Sequence, residues 1–207
     1  MAAIIIILRM EPQFRREDEL ISRDLSVETW KDFEDFFSRY NGVQGGCWCM
    51  YYHGSFISPG TSNRNGSEKN RESHKRLVED GKARGILIYS GSRTIGWCQY
   101  GTREELPRPG RGKVYQTLEP IPPDAIVWRI TCFFVDREFR RRGVAKFALS
   151  RVLQRIREEG GGIVEAFPVT SSKAYTKWFG NVSMYSEHGF MEVAAIGKSN
   201  VLMRCVV

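Results

Sequence analysis

The chain has 207 residues, of which 42% are hydrophobic and 12% aromatic, enough to bury one sizeable core. This composition excludes a disordered or fibrous chain. The formal net charge of +7 suits an anionic partner, which could be a phosphorylated cofactor, a nucleic acid or an acidic membrane surface. We expect a single domain over residues 1–207.

The start of the chain and its five cysteines indicate in which cellular compartment the protein is expected. Ala2 to Leu8 is apolar but far shorter than the ~20 residues that cross a bilayer, and no small-residue cleavage site follows it. We interpret residues 1–18 as an N-terminal extension or a strand. An odd number of cysteines, with no secretory leader evident, argues against paired structural disulfides. We therefore expect a cytoplasmic protein that binds no membrane.

Two helices are predicted in the first part of the chain. Ser26 has the residue type of an N-cap, and apolar, mostly aromatic side chains recur from there to Tyr40 at helical spacing. A second, polar helix is predicted from Ser67 to Gly81 and is expected to be exposed along most of its length. The residues between them, 54–66, have the composition of a mobile connection.

Six strands and one long helix are predicted downstream, with a short helical region near Ser171 to His188. The strands are Gly85 to Tyr89, Thr94 to Tyr100, Ile126 to Val135, Ile163 to Val169, Phe190 to Ala195 and Val201 to Val206. Val144 to Glu158 has the clearest amphipathic helix pattern, and a strand on each side of it makes a right-handed parallel unit. Residues 102–125 contain five prolines and no clear period, which predicts a long inserted loop that helps to shape a substrate site.

The segment from Phe133 to Ala145 carries the strongest chemical signal. An apolar strand runs into a basic turn, and a helix begins at once. The start of a helix offers backbone N–H groups without internal partners, and Gly143 lets a phosphate approach them closely. Cations at this end oppose the helix dipole, so their presence favours a bound anion over the alternative of a solvated helix start. The cations are Arg137, Arg140, Arg141, Arg142 and Lys146.

Two motifs carry a family resemblance. Arg140 to Ala145 reads Arg, two residues, Gly, one residue, Ala directly after a strand, and Met184 to Phe190 contains an aromatic residue, three residues, then Gly-Phe. With these motifs the chain resembles the GCN5-related N-acetyltransferase (GNAT) superfamily from about Ser26 to its C-terminus. The resemblance implies an α/β (α+β) fold with a mixed, mostly antiparallel central sheet, a splayed parallel strand pair and flanking helices. It also implies acetyl-CoA as cosubstrate and no metal.

The resemblance further implies which residues bind coenzyme and acceptor. Backbone groups at the end of the strand would pair with the pantetheine arm, and the turn would bind the pyrophosphate. The coenzyme residues are then Phe133, Phe134, Val135, Arg140, Arg141, Arg142, Gly143, Val144 and Ala145. Trp48, Tyr51 and Tyr52 lie between the first two helices and are expected to form an aromatic wall of the acceptor pocket. Packing in the core is the alternative for each of them.

Two residues are candidates for proton transfer. Tyr185 matches the position from which the family presents a hydroxyl to the coenzyme sulfur, which implies a general acid; the alternative is that it only packs. Glu165 lies in an apolar strand, where a carboxylate is costly unless it faces a cleft or a partner. We expect it to act as a base or to hold the amine, with a structural pair to a nearby arginine as the alternative. Cys47, Cys49 and His53 are ligand types without a fourth member, so we expect no metal.

Together, the motifs and the candidate site residues predict one enzymatic activity. The chain is expected to be an acyltransferase that moves an acetyl group from acetyl-CoA to a primary amine by direct attack in a ternary complex. One alternative is an acyl-CoA-binding sensor or pseudoenzyme that regulates a partner. Another is a nucleic-acid-binding module, for which no motif is present. The acceptor is a small molecule or a protein, and the exposed ends of a mixed sheet are compatible with a homodimer.

Overall fold

A computed structural model describes residues 19–55, 57–58, 65–170 and 178–207. In these ranges seven strands form one sheet in the order β1-β2-β3-β4-β5-β7-β6, and every neighbouring pair is antiparallel except β4 and β5. This arrangement confirms the predicted fold class. The strands are β1 (Leu20–Asp24), β2 (Arg84–Ser90), β3 (Arg93–Thr102), β4 (Val127–Val135), β5 (Ile163–Ala166), β6 (Met191–Ala195) and β7 (Val201–Val206).

The helices of the described ranges flank this sheet. None of them has the length and apolar character needed to cross a membrane. Short 3-10 turns lie at Arg108–Arg111 and Arg137–Phe139. The α-helices are α1 (Trp30–Ser38), α2 (Gly66–Glu79), α3 (Lys113–Gln116), α4 (Val144–Glu158) and α5 (Val182–Ser186).

Several elements differ from the sequence-based boundaries. Helix α1 begins at Trp30, four residues after the predicted N-cap Ser26. Ser26 and Thr29 nevertheless accept each other's backbone N–H, at 3.3 and 2.8 Å, in the reciprocal pattern of a capping box. Strand β5 ends at Ala166, three residues earlier than predicted. Strand β1 was not predicted, and it pairs with β2 at the edge of the sheet.

Helix α2 is exposed or half-buried over most of its length, but one of its faces is buried. Asn70, His74 and Val78 recur every four residues and are buried. The His74 ring lies 4.9 Å from the ring of Phe33, in an edge-to-face contact. A polar sequence therefore hides an inward face made largely of polar side chains.

The sheet separates two cores. Helix α4 covers one face with an aliphatic core that includes Leu149 and Ile156. Helix α1 covers the other face with an aromatic core, in which Phe33 stacks on Phe37 at 4.1 Å and meets Trp97 edge-on at 4.8 Å. The predicted aromatic inner face of the first helix is therefore present.

Between β3 and β4 the chain leaves the sheet and forms the turn Arg108–Arg111 and α3. We call residues 103–118 the insertion. The predictions for Ala2 to Leu8 and for most of residues 54–66 lie outside the described residues. The helical region near 171–188 is described only from residue 178, and that part contains α5.

Candidate active site

Among the described residues, one edge of β4 has no strand partner over its last residues. The parallel pairing with β5 runs only from Val127 to Ile130, because β5 ends at Ala166. Strand β4 continues to Val135, still paired on its other side with β3. Backbone groups of residues 133–135 on the β5 side are therefore available to an extended ligand, as when a peptide adds to a sheet edge.

A buried carboxylate shapes the turn that follows β4. Asp136 is 2% exposed and accepts the backbone N–H of Glu138 at 3.2 Å and a guanidinium N–H of Arg93 at 2.8 Å. Burial raises the pKa of Asp136, but the Glu138 N–H, the Tyr40 hydroxyl and Arg93 outweigh it and hold the pKa below its usual value. The ionised carboxylate thus fixes the path of the chain into the basic turn.

The basic turn leads to an open helix start. Gly143 has φ +81°, and a Cβ there would meet nothing within 4 Å. Arg141 also has a left-handed φ of +61°, a strained conformation of the kind that is typical of functional turns. Val144 is buried in the aliphatic core and holds the helix start against the sheet. The start of α4 therefore has open space at Gly143 and exposed arginines directly before it, an arrangement that suits an anion.

Tyr185 is fully buried beside the free edge of β4. Its ring packs against Phe190 at 5.0 Å and Phe133 at 6.2 Å. Its hydroxyl has no hydrogen-bond partner among the described residues. Burial raises the pKa of Tyr185 well above its usual value, and the nearby Cys98 and Cys132 raise it further. The phenol therefore keeps its proton at neutral pH and has a donor to offer.

The segment between α1 and α2 has an unusual backbone. The non-glycine residues with left-handed φ angles in this segment are Asn41, Val43, Gln44, Trp48 and Cys49. Such angles cost free energy and persist where surrounding contacts enforce them. Here the Gln99 amide donates to the Cys49 carbonyl at 2.8 Å, and Asn70 donates to the Gly46 carbonyl at 3.0 Å.

The structure separates the three residues expected in the acceptor wall. Trp48 is 5% exposed, stacks on Phe37 at 5.9 Å and belongs to the aromatic core, so its position favours the packing alternative. Tyr51 is 40% exposed and Tyr52 is half-buried, with their rings 4.9 Å apart. Burial and the neighbouring Cys132 raise the pKa of Tyr52. Tyr51 and Tyr52 thus remain available to a cleft.

Glu165 is completely buried, with partners on both carboxylate oxygens. Arg129 donates to one oxygen at 3.1 Å and Arg204 to the other at 2.9 Å. The Tyr115 hydroxyl lies 2.8 and 2.9 Å from the two oxygens. These contacts favour the alternative of a structural pair with arginine over the expected base. Sequence reasoning missed all three partners, although Arg129 and Arg204 each interrupt an apolar strand.

The cysteines and histidines do not form a metal site in the described ranges, where no group of three suitable side chains converges. His53 instead shares a hydrogen bond of 3.1 Å with Gln99, and burial lowers its pKa to about 4. All five cysteines are free. Burial raises the pKa of Cys47 to about 11, which makes its thiol a poor nucleophile at neutral pH.

A family model described as the acetyltransferase (GNAT) family matches residues 48–190, more than half of the chain. The chain belongs to this family. The match includes β4, the basic turn, α4 and Tyr185, so the two motifs that carried the resemblance lie inside it. No curated protein sequence matches the chain significantly.

Solved structures described as acetyltransferases share the fold. The acetyltransferase of the GNAT family from Streptococcus pneumoniae has a TM-score of 0.53 at 13% identity, over 91% of this chain and 99% of its own. The protein yncA from Salmonella typhimurium, solved with acetyl-CoA, has a TM-score of 0.53 at 12% identity, over 90% and 93%. The paia N-acetyltransferase from Thermoplasma acidophilum, solved with coenzyme A, has a TM-score of 0.51 at 12% identity, over 91% and 99%.

Proposed function

We propose that this GNAT protein transfers an acetyl group from acetyl-CoA to a primary amine by direct attack in a ternary complex. The observation that carries the proposal is the buried hydroxyl of Tyr185, without a partner among the described residues, beside the free edge of β4. The Salmonella and Thermoplasma structures support it, because the same fold holds acetyl-CoA or coenzyme A there.

The residues present fit a coenzyme. Backbone groups of Phe133, Phe134 and Val135 would pair with the pantetheine arm. The Val135 carbonyl already accepts a bond from Arg140 at 3.1 Å, but a carbonyl has two lone pairs and can accept a second N–H. The open start of α4 would bind the pyrophosphate through backbone N–H groups, with the charge of residues 140–142 added to it.

The chemistry divides between coenzyme and protein. The coenzyme supplies the acetyl group as an activated thioester. Tyr185 holds its proton at neutral pH and would donate it to the sulfur as negative charge develops there. Phe133 and Phe190 pack against the phenol ring and would exclude water from that hydrogen bond and so strengthen it. We assign no proton transfer to Glu165, because its oxygens are already bonded to Tyr115 and two arginines.

The acceptor, the cellular compartment and the oligomeric state also belong to the proposed function. The acceptor is an amine-bearing small molecule or protein, which Tyr51 and Tyr52 would contact. Five free cysteines support a reducing compartment such as the cytoplasm. A homodimer remains a prediction.

The test is a panel of primary amines, assayed for free thiol released from acetyl-CoA and combined with Gly143→Asp. We expect release with at least one amine. The aspartate should repel the pyrophosphate and weaken coenzyme binding about tenfold or more, as measured by calorimetry. Gly81→Asp is the matched control, because Gly81 also has a left-handed φ and open space, yet follows α2.

Two outcomes would contradict the proposal. Tight coenzyme binding without thiol release for any amine would favour the acyl-CoA sensor. Equal coenzyme affinity for Gly143→Asp and Gly81→Asp would mean that the pyrophosphate does not bind at the start of α4.

A further inference from the structure

Three charged side chains form a row across neighbouring strands. The sheet register places Arg129 of β4 beside Glu165 of β5, and Glu165 beside Arg204 of β7. Arg129 is 3% exposed and Glu165 not exposed at all, whereas the Arg204 side chain is 21% exposed. One carboxylate thus lies between two guanidinium groups. Buried charges of this kind persist only when each is paired and hydrogen-bonded.

Tyr115 joins the insertion to this row. Its hydroxyl contacts both oxygens of Glu165 and accepts a bond from Arg129 at 3.0 Å. Burial raises the pKa of Tyr115, and so does the Glu165 carboxylate, so the phenol keeps the proton that it donates. The other three residues of α3 are exposed. Tyr115 is therefore the residue through which α3 reaches the sheet.

Arg129 holds the backbone of the insertion as well. It donates to the Leu106 carbonyl at 2.8 Å and to the Arg103 carbonyl at 3.4 Å. A Cβ on Gly110 would lie only 2.9 Å from its guanidinium, so the insertion passes directly over this side chain. The insertion is thus fixed to the row at several points of its length.

The same insertion also contacts the tyrosines expected on the acceptor side. The backbone N–H of Arg108 donates to the Tyr52 carbonyl at 3.4 Å. The Arg108 guanidinium lies 3.9 Å from the centre of the Tyr51 ring, which is a cation–π contact. The insertion therefore bridges the charged row and the segment that carries Tyr51 and Tyr52.

We propose that Glu165 and Tyr115 are positioning residues that fix the insertion as a wall of the acceptor cleft. This inference rests on the proposed acetyl transfer and concerns its acceptor side. Both oxygens of Glu165 are already bonded to Tyr115 and two arginines, so Glu165 acts by holding Tyr115 and pairing with Arg129.

The first test is Tyr115→Phe, which removes one hydroxyl and keeps the ring. The matched control is Tyr89→Phe, because the Tyr89 hydroxyl also donates to a carboxylate, that of Asp32, at 2.8 Å, but joins β2 to α1. For Tyr115→Phe we expect the KM of the best amine to rise about tenfold, with kcat and coenzyme affinity within about twofold of wild type. Tyr89→Phe should leave all three unchanged.

Hydrogen exchange tests the anchoring without any amine. Amides of residues 103–118 should exchange faster in Tyr115→Phe than in wild type or Tyr89→Phe. Unchanged exchange together with an unchanged amine KM would overturn the proposal. Should the wild type acetylate no amine, the proposed function fails, whereas hydrogen exchange still decides whether Tyr115 anchors the insertion.

The second test is Glu165→Gln, followed by the pH dependence of kcat. A positioning residue predicts that the acidic limb keeps the wild-type midpoint while the amine KM rises. Loss of that limb, with a fall in kcat of about 100-fold or more, would make Glu165 a base and overturn the proposal. If this variant does not fold, the Tyr115→Phe measurements decide alone.

Discussion

Tyr185 carries a hydroxyl that a purely structural residue would not need. Its ring fills space between Phe133 and Phe190, which phenylalanine would fill equally well. Leaving a buried hydroxyl without a hydrogen bond costs about 1–3 kcal/mol. Such a cost is what the proposed general-acid role of Tyr185 predicts, because active sites commonly give up stability for function.

Tyr185→Phe should therefore separate stability from activity. We expect the free energy of unfolding to stay equal or to rise by about 1 kcal/mol, because the change removes a buried hydroxyl that has no partner among the described residues. At the same time kcat should fall about 10- to 100-fold while coenzyme affinity stays nearly constant. Urea unfolding, calorimetry and the thiol-release assay measure the three quantities. An unchanged kcat would exclude the general-acid role and mean that Tyr185 only packs in the core.

At the scale of elements, α2 shows why a polar helix need not be an exposed one. Asn70 donates to the carbonyls of Gly46 and Ile57 and accepts the Ile57 N–H. These backbone groups belong to irregular segments and have no strand or helix to pair with, so a buried amide satisfies them. The helix is polar inside because the loops that it packs against are not regular.

His74 on the same face predicts acid sensitivity. Burial, and then the neighbouring His53, lower the pKa of His74 to about 3, whereas an unfolded histidine has a pKa near 6.5. Between these values the unfolded state binds more protons, so stability falls as the pH drops below about 6.5. The loss should reach about 2 kcal/mol at pH 5 for this histidine.

His74→Phe should remove that contribution and flatten the pH dependence of stability. Urea unfolding at pH 7.5 and pH 5.0 measures it. Lys75→Ala, on the exposed face of α2, is the control and should behave like wild type. A difference between the two pH values as large in His74→Phe as in wild type would contradict the assignment.

At the scale of the molecule, the sheet between the two cores has a glycine at a position where a neighbouring strand's side chain needs the space. Trp97 of β3 lies across Gly85 of β2, and a Cβ on Gly85 would lie only 1.9 Å from its ring. Glycine is therefore needed here for close approach and not for its backbone angle. The indole in turn supports Phe33 and Phe37 of α1 at 4.8 and 6.1 Å.

Gly85→Ala should thus destabilise the whole fold. Overpacking of this kind costs about 1–3 kcal/mol, and a chain of this size loses roughly 2–4 °C of Tm per kcal/mol. Coenzyme affinity should stay within about twofold, because β3 separates β2 from the free edge of β4. Gly197→Ala is the control, since open space surrounds Gly197. A Tm equal to that of the control would exclude the close contact.

The sequence alone was sufficient to predict structural features that depend only on residues near one another in the chain. Helix α4 has the predicted bounds, because its apolar period and its first residue, next to Gly143, are set within one segment. The fold class followed from the order of strands and helices together with two short motifs. The side chain of Glu165 is a different case, because its partners Tyr115, Arg129 and Arg204 lie 50, 36 and 39 residues away.

Those separations explain what only the tertiary structure decided. Local patterns predict which residues form a strand or a helix, since the backbone geometry of each has its own period. They do not tell which charge a buried carboxylate meets, whether Trp48 faces a cleft or the core, or which face of α2 is covered. Each depends on strand register and on helices packed from elsewhere in the chain. The sequence therefore determined the family and the bounds of α4, and the tertiary structure decided the partners of Glu165 and the burial of Trp48.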